Sequence, residues 1–180
     1  MVEDICFHIV DIVQNAVAAG ARTVEISLRE SSRDDIRTLT VRDDGRGMDR
    51  QMVANVQDPF FTTKPGKRVG LGIPLLKQTA RQCLGDFRID SAPGRGTDIR
   101  ADMRPSHIDC PPVGDLVGTV VSLITSLDYL NIRFVYETDS GRFSVSTDEI
   151  REQVGDLHLS HPDVYSFLRD YIQENIDKLR

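Results

Sequence analysis

No apolar run in this sequence approaches the roughly 20 residues that a membrane-spanning helix needs. The amino-terminal stretch MVEDICFHIV carries acidic residues where a secretory signal is basic. Cysteine is scarce. Cys6, Cys83 and Cys110 are odd in number and widely spaced. They make neither a disulfide framework nor a zinc pattern, and they read as buried free thiols of a cytoplasmic protein. A concentrated basic surface is missing as well. Residues 1–104 hold 16 Lys and Arg against 15 Asp and Glu, residues 105–180 hold 6 against 13, and the whole chain carries −6. Neither part has the basic stripe of a nucleic-acid binder, and the acidic second part repels phosphate backbones. The expectation is a cytoplasmic protein with no membrane and no nucleic-acid partner. Internal repeats and low-complexity tracts are also lacking.

The chain has 180 residues, 39% hydrophobic and 28% charged, an ordinary soluble composition with room for one domain and an appendage. RPSHIDCPPVGD, residues 104–115, packs three prolines and a glycine into a dozen positions. The charge balance changes there too, so a boundary is expected near residue 108, giving units 1–107 and 108–180. In the first unit, Ile5, Ile9, Ile12, Val13, Ala16 and Val17 have helical spacing, with Gly20 as a stop. TVEISL from Thr23 and the run Thr38 to Val41 alternate as strands, Met48 to Val56 reads as a short helix, and Ile73 to Leu84 as a helix with Pro74 in its first turn. Phe87 with Ile89, then Ile99, Ala101 and Met103, mark two closing strands joined at APGRG. The result is an α/β sandwich, one sheet with helices against a single face. The second unit reads as a small acidic α+β module: a helix over Leu116 to Leu127, a hairpin around TDSG, and a final helix opened by Pro162. About 70 residues are few for independent folding, so this module is expected to dock on the first.

The stretch VRDDGRGMD, residues 41–49, carries the first chemical signal. A lone Asp-Gly is far more often a turn than a site. Here a second glycine, Gly47, follows, and a helix rather than a paired strand comes next. A strand, a glycine corner and a helix let backbone approach a ligand closely. Asp11 and Asn15 lie four residues apart on one helix face, which alone reads as a solvated surface. His8, three residues before Asp11, reads as a surface or half-buried histidine paired with Asp11.

The order of signals changes the balance. Asn15 comes first, then Asp43-x-Gly45-x-Gly47, then DPFFTTK at 58–64, then Gly70-Leu71-Gly72 opening a helix, then Gly94-x-Gly96-Thr97 between the last strands. Over residues 1–103 this series resembles the GHKL ATPases: histidine kinases, DNA gyrase B, the heat-shock chaperone ATPase and MutL-type mismatch-repair proteins. PFFTTK is close to the histidine-kinase form, and NAVAAGARTVEI is similar to the MutL-type helix and strand. The resemblance implies the Bergerat two-layer α/β sandwich, with ATP and Mg²⁺ as cofactors. It implies that Asn15 supplies a Mg²⁺ ligand, since a hard cation takes oxygen donors and keeps several waters. Asp43 would accept from the adenine amino group, with Gly45 and Gly47 letting backbone near the base and Thr97 meeting the same edge. Gly70, Leu71 and Gly72 would offer backbone N–H groups to phosphate at a helix N-terminus. Lys64, Lys67 and Arg68 lie in the intervening lid, where at least one would meet the γ-phosphate; the alternative for all three is a solvated basic loop.

Two departures bear on activity. Hydrolysing members of this group carry a glutamate four residues before the asparagine, where this chain has Asp11. The shorter side chain loses about 1–1.5 Å of reach, so Asp11 acts either as a general base, through a second water, or only in holding Mg²⁺. The asparagine helix also starts almost at Met1, leaving no room before it for the dimerisation hairpin of a complete histidine kinase. The expected function is a stand-alone Mg-ATP-binding regulatory protein, a kinase-like or ATPase switch acting on a protein partner, with anti-sigma-factor serine kinases as the nearest analogy. The alternatives are the catalytic half of a split histidine kinase and a non-catalytic sensor of ATP against ADP.

Overall fold

The computed structural model describes residues 4–59, 61, 71–155 and 157–180. The first helix, α1 (Ile5–Ala18), buries Ile5, Ile9, Ile12, Val13 and Ala16 on one side. Asp4 caps it by accepting the Phe7 N–H at 2.8 Å, and Gly20 ends it at φ +76°. The antiparallel strands β1 (Thr23–Ser31) and β2 (Ile36–Asp43) follow, then the short α2 (Arg50–Asn55), then α3 (Gly72–Gln82) with Pro74 in its first turn, where the missing N–H costs nothing. β3 (Phe87–Ser91) and β4 (Thr97–Met103) close the first part. Up to this point the elements are those the periodicity predicts, each within a few residues.

Beyond residue 108 come α4 (Leu116–Ser126), the hairpin β5 (Asn131–Thr138) and β6 (Gly141–Ser146), α5 (Thr147–Val154) and α6 (Pro162–Asp177). α5 was not anticipated. It buries only Thr147 and Ile150, too little for an apolar stripe, yet Ser146 and Glu149 form a reciprocal capping box that the local sequence STDE spells out.

All six strands form one sheet in the order β3-β4-β2-β1-β5-β6. Every neighbouring pair is antiparallel except β1 with β5, which run parallel with Val24 opposite Ile132 and Leu28 opposite Tyr136. The carboxy-terminal hairpin therefore extends the sheet past β1 instead of forming a sheet of its own. Val24, Ile26, Leu28, Leu39, Val41, Ile99, Ala101, Ile132, Phe134 and Tyr136 face the helices and join one core with α1, α3, α4 and α6. That core crosses residue 108 without a gap. The segment between β4 and α4 adds a further tie, because the carbonyls of Pro112 and Val113 accept the N–H groups of Ile5 and Cys6, each at 3.0 Å. Two of the unpaired donors at the start of α1 are satisfied by chain from the far side of the boundary.

The other face of the sheet is largely charged. The register sets opposite charges directly across neighbouring strands: Arg29 with Glu137 at 3.4 Å, Arg42 with Asp98 at 2.5 Å and Glu25 with Arg133 at 3.9 Å. Such exposed pairs each contribute roughly 0.2–1 kcal/mol and keep the face solvated. Among the described residues no helix is long and apolar enough to cross a membrane.

Candidate functional site

Asp11 and Asn15 sit one turn apart on the half-exposed side of α1, and the first turn of α3 lies against them. A Cβ built on Gly72 would stand 3.3 Å from both Cβ and Oδ2 of Asp11 and 3.5 Å from Asn15 Nδ2. A side chain at 72 would crowd the very groups that this turn approaches. Leu71, 43% exposed, caps α3 without a side-chain hydrogen bond. The opening N–H groups of α3 thus have no capping side chain and lie beside a carboxylate and an amide. Gly70, Lys64, Lys67 and Arg68 lie outside the described residues.

The second cluster forms where β2 ends. Asp43 stands opposite Val24 on one side and Thr97 on the other. Its Oδ1 accepts the Gly45 N–H at 2.8 Å. Burial raises the Asp43 pKa above the ordinary carboxylate value, against the lowering pull of the Gly45 and Thr97 backbone N–H groups, and the nearby Asp44 charge adds to the rise. Asp44 has another job. Its Oδ1 accepts the N–H groups of Arg22 and Thr23 at 2.7 and 2.9 Å, stapling the corner to the start of β1. Although burial opposes it, these donors hold the Asp44 carboxyl below its ordinary pKa.

Two glycines of this corner are imposed by shape. Gly47 at φ +66° leaves 1.9 Å between a built Cβ and the Ala92 carbonyl oxygen, and Gly96 at φ +74° leaves 1.9 Å to that of Asp43. No side chain fits either place. Gly45 faces the Asp43 carboxylate, and its built Cβ would lie 2.9 Å from Ala19 Cβ. That contact joins the two clusters. The Arg46 N–H donates to the Ala19 carbonyl at 3.0 Å, and the Ala19 N–H donates to that of Asn15 at 2.9 Å. The corner is therefore seated about one helical turn, ~6 Å along the axis, beyond Asn15.

One residue of this region escaped the sequence reading. Ser91 ends β3 opposite Thr97. Its hydroxyl accepts the Met48 N–H at 2.9 Å, donates to the Gly96 carbonyl at 2.7 Å and lies 3.1 Å from Thr97 Oγ1. The available signal was a serine just ahead of the APGRG turn. His8 corrects an expectation. It is fully buried, not at the surface, and its Nε2 lies 3.1 Å from Thr79 Oγ1 on α3 instead of pairing with Asp11. Its Nδ1 is buried with no hydrogen-bond partner. Burial lowers the imidazole pKa to about 4, with the Asp4 charge opposing. The cause is tertiary: α3 covers the side of α1 that carries His8.

Residues 3–107 match the family model of histidine kinase-, DNA gyrase B- and HSP90-like ATPases. The chain belongs to this family, and its sandwich with a mixed six-stranded sheet is the family's Bergerat-type α/β fold, so it carries an ATP-binding, kinase-like domain. Among individual proteins, it is 32% identical over 99 residues to the sensor histidine kinase YxdK of Bacillus subtilis, which is 52% of this chain and 30% of that one. It is 37% identical over 90 residues to the sensor protein kinase FleS of Pseudomonas aeruginosa, covering 49% of this chain and 22% of the relative. Among solved structures, the mycobacterial sensor histidine kinase MprB aligns at a TM-score of 0.42 with 27% identity, over 53% of this chain and 66% of that one. The match thus spans less than a third of the length of these curated relatives.

Proposed function

We propose that this protein is a Mg-ATP-binding regulatory switch, kinase-like or ATPase, that acts on a protein partner. The observation that carries the reading is the contact of Gly72 with Asp11 and Asn15, one helical turn from the Asp43 corner. It brings exposed helix-start donors, an amide and the half-buried Asp43 carboxylate near one another. In this reading the Asp43 carboxylate accepts from the 6-amino group of adenine, which guanine lacks, with Gly45 and Gly47 admitting the base and Thr97 meeting the same edge. The N–H groups at Gly70, Leu71 and Gly72 receive phosphate oxygens. Lys64 and Arg68 answer the γ-phosphate charge.

The residues fit a magnesium ion of the nucleotide-bridging kind. Asn15 lies against the first turn of α3, its Nδ2 3.5 Å from a Cβ built on Gly72, and its amide oxygen would be the side-chain ligand, with phosphates and waters completing the set. When bound, Mg²⁺ neutralises charge across the phosphates. Asp11, one turn before Asn15 and against the same turn of α3, orients or deprotonates an attacking group.

Incubation with γ-labelled Mg-ATP tests the reading. Nucleotide binding should be lost by more than about a hundredfold in Asp43→Asn and weakened in Asn15→Ala, the first effect corresponding to roughly 2.7 kcal/mol. Because burial already disfavours the Asp43 charge, Asp43→Asn should melt no lower than the parent. A parent that binds no adenine nucleotide, or an Asp43→Asn variant that binds as the parent does, would rule the proposal out. A second reading is favoured by the similarity to sensor histidine kinases: the chain is the catalytic half of a split system. It predicts an acid-labile histidine phosphate on a separate protein, where the first reading allows acid-stable serine phosphate or free phosphate.

A further inference from the structure

One hydroxyl ties together both glycine motifs of the Asp43 corner. Ser91 Oγ has a single hydrogen and two lone pairs. Its 2.7 Å contact with the Gly96 carbonyl oxygen commits the hydrogen, because a carbonyl only accepts. One lone pair receives the Met48 N–H at 2.9 Å. The 3.1 Å contact with Thr97 Oγ1 then has one consistent assignment: Thr97 donates and Ser91 accepts. Thr97, 7% exposed, has spent its only hydrogen and offers nothing but lone pairs to whatever else it meets. Asp43 beside it is an acceptor as well, its Oδ1 already taken by the Gly45 N–H.

We propose that Ser91 is a specificity-determining residue: by using up the Thr97 hydrogen, it makes Thr97 an obligate acceptor and turns the corner into a reader of a 6-amino purine. The inference rests on the assignment of this corner to adenine and adds how the corner refuses other bases. A purine with an exocyclic amino group at position 6 brings a donor to two acceptors. One with a 6-oxo group brings a third acceptor, and the hydroxyl that would otherwise turn to meet it is locked by Ser91. Unmatched acceptors facing one another out of water are costly, which is how such a site discriminates. Ser91 acts through Thr97 and touches no base, so it is a positioning residue.

Calorimetric titration of the full chain with Mg-ATP and with Mg-ITP, which carries oxygen at position 6, tests this. The parent should prefer ATP by at least about tenfold. Ser91→Ala frees the Thr97 hydroxyl to donate, so ATP should weaken, ITP should strengthen, and the preference should fall at least about threefold. Ser91→Thr, which keeps the hydroxyl, should retain the parent ratio and guards against a folding artefact. In a Thr97→Val background, Ser91→Ala should leave the ratio where Thr97→Val alone puts it. An unchanged ratio in Ser91→Ala, or an equal loss of both nucleotides, overturns the inference and reduces Ser91 to a structural tie. A parent that binds neither nucleotide is a different failure, visible before any Ser91 variant is made, and it withdraws the adenine assignment together with the inference.

Discussion

The halves of the sheet on either side of β1 do different work. The half built from β2, β3 and β4 ends in the corner of Asp43, Ser91, Gly96 and Thr97, where hydrogen bonds and steric limits fix single side chains. The half built from β5 and β6 carries none of these groups. It contributes Ile132, Phe134 and Tyr136 to the core, packs under α4 and α6, and covers an edge of β1 that would otherwise be open. A site of fixed geometry needs a rigid base, and much of that base comes from sequence with no recognisable chemistry of its own.

The largest expected effect tests whether the halves can be separated. Ending the chain at residue 107 bares the β1 edge, strips apolar cover from Val24 and Leu28, and removes the carbonyls that cap α1. An unpaired strand flanked by apolar side chains invites association. The 1–107 fragment should give no cooperative thermal melt and should aggregate in light scattering. A monomeric fragment that melts cooperatively would make residue 108 a boundary between folding units.

Within the chemical half, Gly96→Ala should cost several kcal/mol, on the order of 3, since it adds a backbone clash to an unfavourable φ. Denaturant unfolding would measure it. Gly94→Ala makes the sharp control. Gly94 has the same φ of +75° but nothing within 4 Å of a built Cβ, so it should cost only the conformational part, about 1–2 kcal/mol. Equal losses at the two positions would mean that the contact with Asp43 is not as tight as described.

A further comparison concerns pH. His8 has a folded pKa of about 4 against an ordinary 6.5, so the unfolded chain binds more protons in that interval. Its contribution is fully present above about pH 6.5 and is lost as the pH falls towards 4, by up to about 3 kcal/mol. Asp44, Asp35 and Asp139, whose pKa values are lowered, also lose stability on acidification, whereas the raised Asp43 gains it. Melting temperatures of the parent and of His8→Gln, compared between pH 7 and 5, isolate the histidine. The parent should fall more steeply. Parallel curves would mean that the imidazole titrates alike in the folded and unfolded chains.

What was legible in the sequence follows from the range of the forces involved. Helical and alternating spacing marked α1, α3, β1, β2, β4, α4 and α6, because one buried face writes its period into a single segment. The polar α5 wrote no such stripe. Motif order identified Asp11, Asn15, Asp43, Gly72 and Thr97 as candidates, since each glycine turn is a local demand of the backbone. Ser91 and His8 carried no comparable mark. What they do depends on partners that the chain folds back to meet, Met48 and Thr97 for one and Thr79 for the other.

By itself, then, the sequence determined every element but α5 and the chemical kind of each candidate group, which rest on neighbours within a turn or a strand, and through the order of its motifs it determined the family. Tertiary structure alone decided that β5 lies parallel against β1, that the start of α3 closes on Asn15, that His8 is covered, and that Ser91 takes the Thr97 hydrogen. All but the last of these are pairings between segments tens of residues apart. Such pairings are chosen by the burial of shared apolar faces and by where the last hydrogen-bond partners remain, and no local period records either.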